Sequence, residues 1–335
     1  MNSSPQKNAT VTDLVQQRND EKYLFTAGPA SLLPENLSGL RPCFGRGDED
    51  YTTVETRVLD QLKAMSGHSS IARLQGSASL ALEIMALNFL EGDVLVVSTG
   101  YYSDRLQWLA ESAQRRQGAI RSVTSVPWGE LYAVQGSYDW VWACPTETSA
   151  GILVPISTLR KAADSLGAKL MLDATASIGL ESDHDLAQVI AYSSCKGLFG
   201  LTGACFIAFN GAPTQEVDSF YLSLQSHRDK RMTGPYHAIA SLADVLPQHD
   251  HFREGVVINK RRFVQEMEQW LTQPAAHQPQ LCTHVTANVT SSDARAVLYA
   301  PRSNLGGSVV CHLGEAHLGA SARGDIQDVL TVTAP

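Results

Sequence analysis

The sequence predicts an α/β protein, with a large domain built on a mostly parallel mixed sheet covered by helices and a small C-terminal α+β domain behind it. Three observations carry this. Between residues 23 and 210, short continuous apolar runs alternate with amphipathic segments, the pattern of strands buried on both faces and separated by helices. After about residue 250 the texture changes to one long helical segment followed by short, closely spaced strand-like runs. The chain has 335 residues, 44% hydrophobic and 18% charged, enough for a large core and a second, smaller one. The expected organisation is an N-terminal arm over residues 1–22, a large domain over 23–250 and a small domain over 251–335.

Taken in order, "SLALEIMALNFLEGD" (Ser79–Asp93) has helical spacing and stops at a glycine. "VLVVST" (Val94–Thr99) and "WVWAC" (Trp140–Cys144) are continuous strand runs. "PISTLRKAADSLGA" (Pro155–Ala168) reads as a helix capped by Ser157, and "KLMLDA" (Lys169–Ala174), "VIAYSS" (Val189–Ser194) and "ACFIAFN" (Ala204–Asn210) as further strands. "FREGVVINKRRFVQEMEQWL" (Phe252–Leu271) reads as the long helix that opens the second unit. The runs "CTHVTANVT", "AVLYAP" and "SVVCHL" follow, then a last helix, "DIQDVLTV", capped by Asp325.

Composition excludes several classes of function. A net charge of −8 carries no basic footprint for nucleic acid or an anionic membrane. No apolar run approaches the ~18 residues of a bilayer span. The N-terminal stretch is polar and lacks the apolar core of a secretory signal, so it reads as an arm that docks on a partner. The six cysteines, Cys43, Cys144, Cys195, Cys205, Cys282 and Cys311, are scattered, with no metal-ligand spacing. They read as reduced, mostly buried thiols of a cytoplasmic protein, and no metal is expected.

The chemistry is concentrated where strands end. Ligands of parallel α/β sheets sit beyond the carboxyl ends of the strands, and Asp173 and Lys196 each stand just past an apolar run. A desolvated lysine loses its proton readily and forms a Schiff base. A buried aspartate keeps a ring nitrogen protonated. Pyridoxal phosphate needs both, together with donors for its phosphate. "QGSASLALE" places Gly76, Ser77, Ala78 and Ser79 immediately before a helix, where small residues and free amides suit an anion. In "TGYYSDR", Tyr101 and Tyr102 offer an aromatic to cover the ring.

With these residues in view, the sequence resembles the class V pyridoxal-phosphate transaminases of fold type I, from about Leu24 to Ile239 and more faintly to the C-terminus. "LFTAGPASLLP" resembles the family's opening Gly-Pro loop, and "GDEDYTTVETRVLDQL" an acidic segment of its phosphonate-acting branch. The resemblance assigns phosphate binding to Ser77, Ala78 and Ser79, ring stacking to Tyr102 and a contact on the ring-oxygen side to Thr148. It makes Asp173 the pyridinium partner with Thr175 under the ring, and Lys196 the Schiff-base lysine. "KRMTGPYH" resembles a segment that reaches the neighbouring subunit's phosphate, which assigns Thr233 and implies a homodimer with shared sites. The implied activity is ping-pong transfer of an amino group from a small amine or amino acid, such as 2-aminoethylphosphonate, to a small carbonyl or 2-oxo acid.

Three departures from the family pattern are visible. Cys195 precedes the lysine where relatives carry Asn or Gln, and Ala78 stands in the phosphate turn where Gly is common. "CHLGE" puts His312 where the family has the arginine that grips the substrate carboxylate. A histidine is a poorer clamp than that planar fork, and His312 reads equally well as a buried strand histidine satisfied by backbone. Either another cation, Arg302 or Arg46, takes the acid group, or the reaction is a different one on the same scaffold: a lyase, decarboxylase or racemase.

Overall fold

A computed structural model describes residues 9–40, 47–303, 305–315 and 327–335. Seven strands form the central sheet: β1 (Ser70–Gln75), β2 (Gly92–Ser98), β3 (Ile120–Pro127), β4 (Trp140–Ala143), β5 (Lys169–Asp173), β6 (Val189–Ser193) and β7 (Ala204–Phe209). Their spatial order is β1-β7-β6-β5-β4-β2-β3. Strands β2 to β6 pair parallel, while β7 runs antiparallel to both its neighbours, β6 and β1.

The sheet is covered on both faces, as the unbroken apolar runs require. Among the described residues the helices of ten residues or more are α1 (Val11–Asp20), α2 (Glu49–Ser66), α3 (Ala78–Phe89), α4 (Tyr101–Gln117), α5 (Ile156–Ser165) and α6 (His249–Glu266). Alternate strand residues go to opposite faces. Leu95, Val97, Val141, Leu170 and Leu172 join one core with α2 and α5. Val94, Val96, Trp140, Trp142 and Met171 join the other with α3 and α4.

The two strands the sequence did not announce, β1 and β3, are the sheet's edges. β3 is mostly half-buried or exposed, so it reads as polar, and β1 carries the buried Arg73 in mid-strand.

Several expectations are corrected. Helix α5 starts at Ile156 behind Pro155, with Ser157 in its first turn rather than at the cap; proline suits a helix start because it has no N–H to leave unpaired. Helix α6 begins at His249 and ends at Glu266, and Leu271 bridges to Val285. The end of the expected last helix, Leu330–Thr333, is a strand antiparallel to Asn288–Ser291; its Leu-Thr-Val-Thr run is β-branched at three of four positions. Asp325 lies outside the described residues.

Tyr23–Phe25 pairs with Ala296–Leu298, and Phe25 packs with Phe263. The start of the expected large domain is therefore stitched into the C-terminal unit. The arm also contacts its own chain: Val15 of α1 is buried and Asn19 Nδ2 donates to the Leu32 carbonyl at 2.6 Å.

Candidate active site

A cavity of about 400 Å³ opens at the carboxyl ends of the parallel strands. Its walls come from the segments just past β1, β2, β4, β5 and β6, and from the entry to β7.

The turn after β1 is tied down when Gly76 N–H donates to the Gly203 carbonyl at 3.0 Å. Ser77 then stands at the N-cap of α3, yet its hydroxyl makes no capping bond. Ser77, Ala78 and Ser79 all line the cavity. A helix start with uncommitted donors is attractive to an anion. The start of α4 differs, because the chain supplies its own anion there. Buried Glu147 accepts from the amides of Tyr102 (3.0 Å) and Ser103 (3.2 Å) and from the amide of Ser149 (3.2 Å). Burial pushes the Glu147 carboxyl above its ordinary range, against those hydrogen bonds. Of these two helix starts, only that of α3 is left to bind a ligand's phosphate.

Asp173 ends β5 and is 2% exposed. Its Oδ1 accepts from the Thr175 amide at 3.0 Å and from the Thr175 hydroxyl. Its Oδ2 accepts from Arg105 Nη2 at 2.9 Å. Lys196 lies three residues past β6, half-buried. Phe199 N–H closes a turn onto the Lys196 carbonyl at 2.9 Å. Two glycines let other backbone approach this turn. Gly28 (φ +122°) lies where a Cβ would sit 3.0 Å from Lys196 Cγ, and a Cβ on Gly197 would overlap the Ile178 carbonyl. The Lys196 ammonium lies 5.7 Å from the centre of the Tyr102 ring.

The structure thus brings Ser77, Ala78, Ser79, Tyr102, Thr148, Asp173, Thr175 and Lys196 to one cavity, with Arg302 at its edge. Arg302 Nη1 donates to the Tyr101 hydroxyl at 2.9 Å. Thr233 is exposed and does not line this cavity. Arg46 lies outside the described residues.

His312 does not line the cavity either. It is 1% exposed, with Nε2 3.0 Å from Thr283 Oγ1 and its ring 5.4 Å from that of Phe263. Of the two readings of His312, the replacement for the substrate-gripping arginine is corrected and the buried core histidine stands. Burial pushes its pKa down to about 3. An unfolded histidine titrates near 6.5, so stability is complete above that pH and falls as the pH drops towards 3. The slope attributable to His312 is about 1.4 kcal/mol per pH unit. Urea unfolding of His312→Leu at pH 7 and pH 4.5 should show a shallower acid loss than the parent; an equal loss refutes the assignment.

Sequence reasoning missed Arg105, Thr146, Cys144 and Thr202, which also line the cavity. Only Arg105 left a signal: it lies three residues after Tyr102 on a helix, hence on the same face. Arg105 Nε, Thr146 Oγ1 and Thr148 Oγ1 are buried without a hydrogen-bond partner among the described residues. The Tyr299 hydroxyl approaches Thr148 but completes no hydrogen bond. Buried unpaired donors of this kind call for a ligand rich in acceptor oxygens. With an anion-seeking turn, a buried acid and an amine around them, the residues fit pyridoxal phosphate.

No family model matches the chain. The fold is shared with solved aminotransferases. The aspartate aminotransferase of subgroup IV from Thermus thermophilus superposes with a TM-score of 0.75 at 20% identity, covering 92% of this chain and 98% of that one. Pyridoxal-phosphate-bound phosphoserine aminotransferase from Trichomonas vaginalis gives 0.73 at 14% identity, covering 92% and 99%. The chain therefore has the fold of the fold type I pyridoxal-phosphate-dependent aminotransferases. Within that class its sequence is similar to 2-aminoethylphosphonate–pyruvate transaminase of Pseudomonas aeruginosa PAO1, with 28% identity over 276 residues, 75% of this chain and 74% of that protein.

Proposed function

We propose that the chain moves an amino group from a small acidic amine, 2-aminoethylphosphonate or a close analogue, to a small 2-oxo acid in two half-reactions with ping-pong kinetics. One observation carries this: Lys196, Asp173 and the Ser77–Ser79 turn line one cavity, with Arg302 beside them. When bound, pyridoxal phosphate supplies an aldehyde that condenses with an amine and a ring that accepts an electron pair. Ser77, Ala78 and Ser79 would hold its phosphate, Tyr102 would cover the ring and Thr148 would face its oxygen. Asp173, fixed by Thr175, would hold a proton on the ring nitrogen. Lys196 Nζ would condense with the aldehyde at rest and, once freed by substrate, would take the proton from the substrate carbon that bears the nitrogen and deliver it to the cofactor carbon that carried the aldehyde.

Arg302 is the acid-binding residue in this scheme. Its guanidinium lies 5.2 Å from the Tyr101 ring centre and faces the cavity; a planar fork suits a carboxylate or phosphonate.

Thr233 would serve the partner's site in a homodimer. It lies on the segment leading to Tyr236–Ala240, which Lys230 anchors to buried Glu55, itself paired with Arg73 at 2.6 Å. Among the described residues no helix is long and apolar enough to cross a membrane. Five described cysteines are free thiols, which supports a reducing compartment and hence a cytoplasmic enzyme.

The test is an amino-donor screen that follows the bound cofactor's visible band with 2-aminoethylphosphonate, a taurine-like amine, alanine, serine and aspartate side by side. Conversion to pyridoxamine phosphate by the acidic donors is expected. In Arg302→Gln the KM for those donors should rise about tenfold or more, with a smaller change in kcat. A band that no donor moves, or an unchanged KM in the variant, overturns the reading.

A further inference from the structure

Arg105 stands in the cavity with no role in the scheme above. It projects from α4 on the same face as Tyr102, with its guanidinium carbon 5.2 Å from that ring's centre. Nη1 donates to Ser79 Oγ at 3.1 Å and Nη2 to Asp173 Oδ2 at 2.9 Å. Its side chain is 27% exposed, that of Asp173 2%. One guanidinium therefore links three separate elements: the phosphate turn on α3, the acid at the end of β5, and α4.

We propose that Arg105 is a positioning residue that locks Asp173 to the phosphate-binding turn and sets the charge that the cofactor ring meets. This rests on the cofactor reading above. Thr175 holds one oxygen of Asp173 and Arg105 the other, so the carboxylate cannot turn. The second arm of the fork fixes the spacing between the acid and Ser79. A lysine offers a point charge and no fork, so it can replace the cation but not the tie between the two sites. The cation also offsets the field of Asp173, so its removal makes basic nitrogens bound beside it hold their protons more tightly.

The experiment uses full-length protein dialysed free of cofactor and titrated with pyridoxal phosphate. Arg105→Met should weaken binding about tenfold or more, with Arg105→Lys between it and the parent. In the Asp173→Asn background, Arg105→Met should cost less than about threefold, because the partner it positions is already altered. The pH midpoint of the bound cofactor's visible band should rise in Arg105→Met and stay nearer the parent's in Arg105→Lys. Equal losses in the two backgrounds, parent-like affinity in Arg105→Met or an unmoved midpoint overturns the proposal. Should Arg105→Met fail to fold, the comparison of Asp173→Asn with Asp173→Asn/Arg105→Met, together with Arg105→Lys, still decides it. A parent protein that takes up no pyridoxal phosphate refutes the cofactor reading instead.

Discussion

Lys196→Ala should abolish turnover, lowering kcat by about 10⁴-fold or more, while the protein still folds. Lys196 is half-buried at the end of a turn whose shape comes from backbone contacts: the Phe199 amide on the Lys196 carbonyl, and the Ala30 amide on the Cys195 carbonyl at 2.8 Å. None of these needs the ammonium. The variant loses the one lysine that lines the cavity among the described residues, and with it the amine for the aldehyde and the proton carrier. Borohydride followed by mass spectrometry should attach cofactor mass to residue 196 in the parent and leave the variant unmodified. Residual activity within a hundredfold of the parent would show that another group moves the proton.

Asp173→Asn should cost about a thousandfold in kcat with a much smaller loss of cofactor affinity. Asparagine fits the same space and its carbonyl can still accept from Thr175. It cannot carry the negative charge that holds a proton on a ring nitrogen. Ser77 to Ser79 still offer their donors to the phosphate, so binding should fall only about tenfold, comparable to the loss expected of Arg105→Met. Arg105 loses its ion-pair partner but is partly exposed, which limits the cost to folding. Steady-state rates with equilibrium cofactor binding check both parts. A variant within tenfold of the parent's kcat removes Asp173 from the role assigned to it.

Legibility of the fold follows burial. The central strands β2, β4, β5, β6 and β7 are continuous apolar runs because helices cover both faces, and such runs can be read without coordinates. The edge strand β3 faces solvent along much of its length and β1 contains a buried ion-paired arginine, so neither carries that pattern. The same limit applies at the end of the chain. "DIQDVLTV" has apolar residues at helical spacing, but the pairing of Leu330–Thr333 with Asn288–Ser291 decides its conformation, and a four-residue run cannot announce a distant partner.

The site divides the same way. Residue types at strand ends, Lys196 after one run and Asp173 after another, together with a small-residue turn before a helix, are local features. The sequence by itself determined them, and with them the cofactor chemistry proposed for the site. Only the tertiary structure decided which cation faces the cavity. His312 and Arg302 are ten residues apart; one is buried on the strand-pair side against Phe263, and the other turns to Tyr101 at the cavity edge. Arg105 meets Asp173 across 68 positions of chain. Charge pairing acts through space over a few ångströms, and the order of residues along a chain does not record which of its cations will end within that distance of an acid.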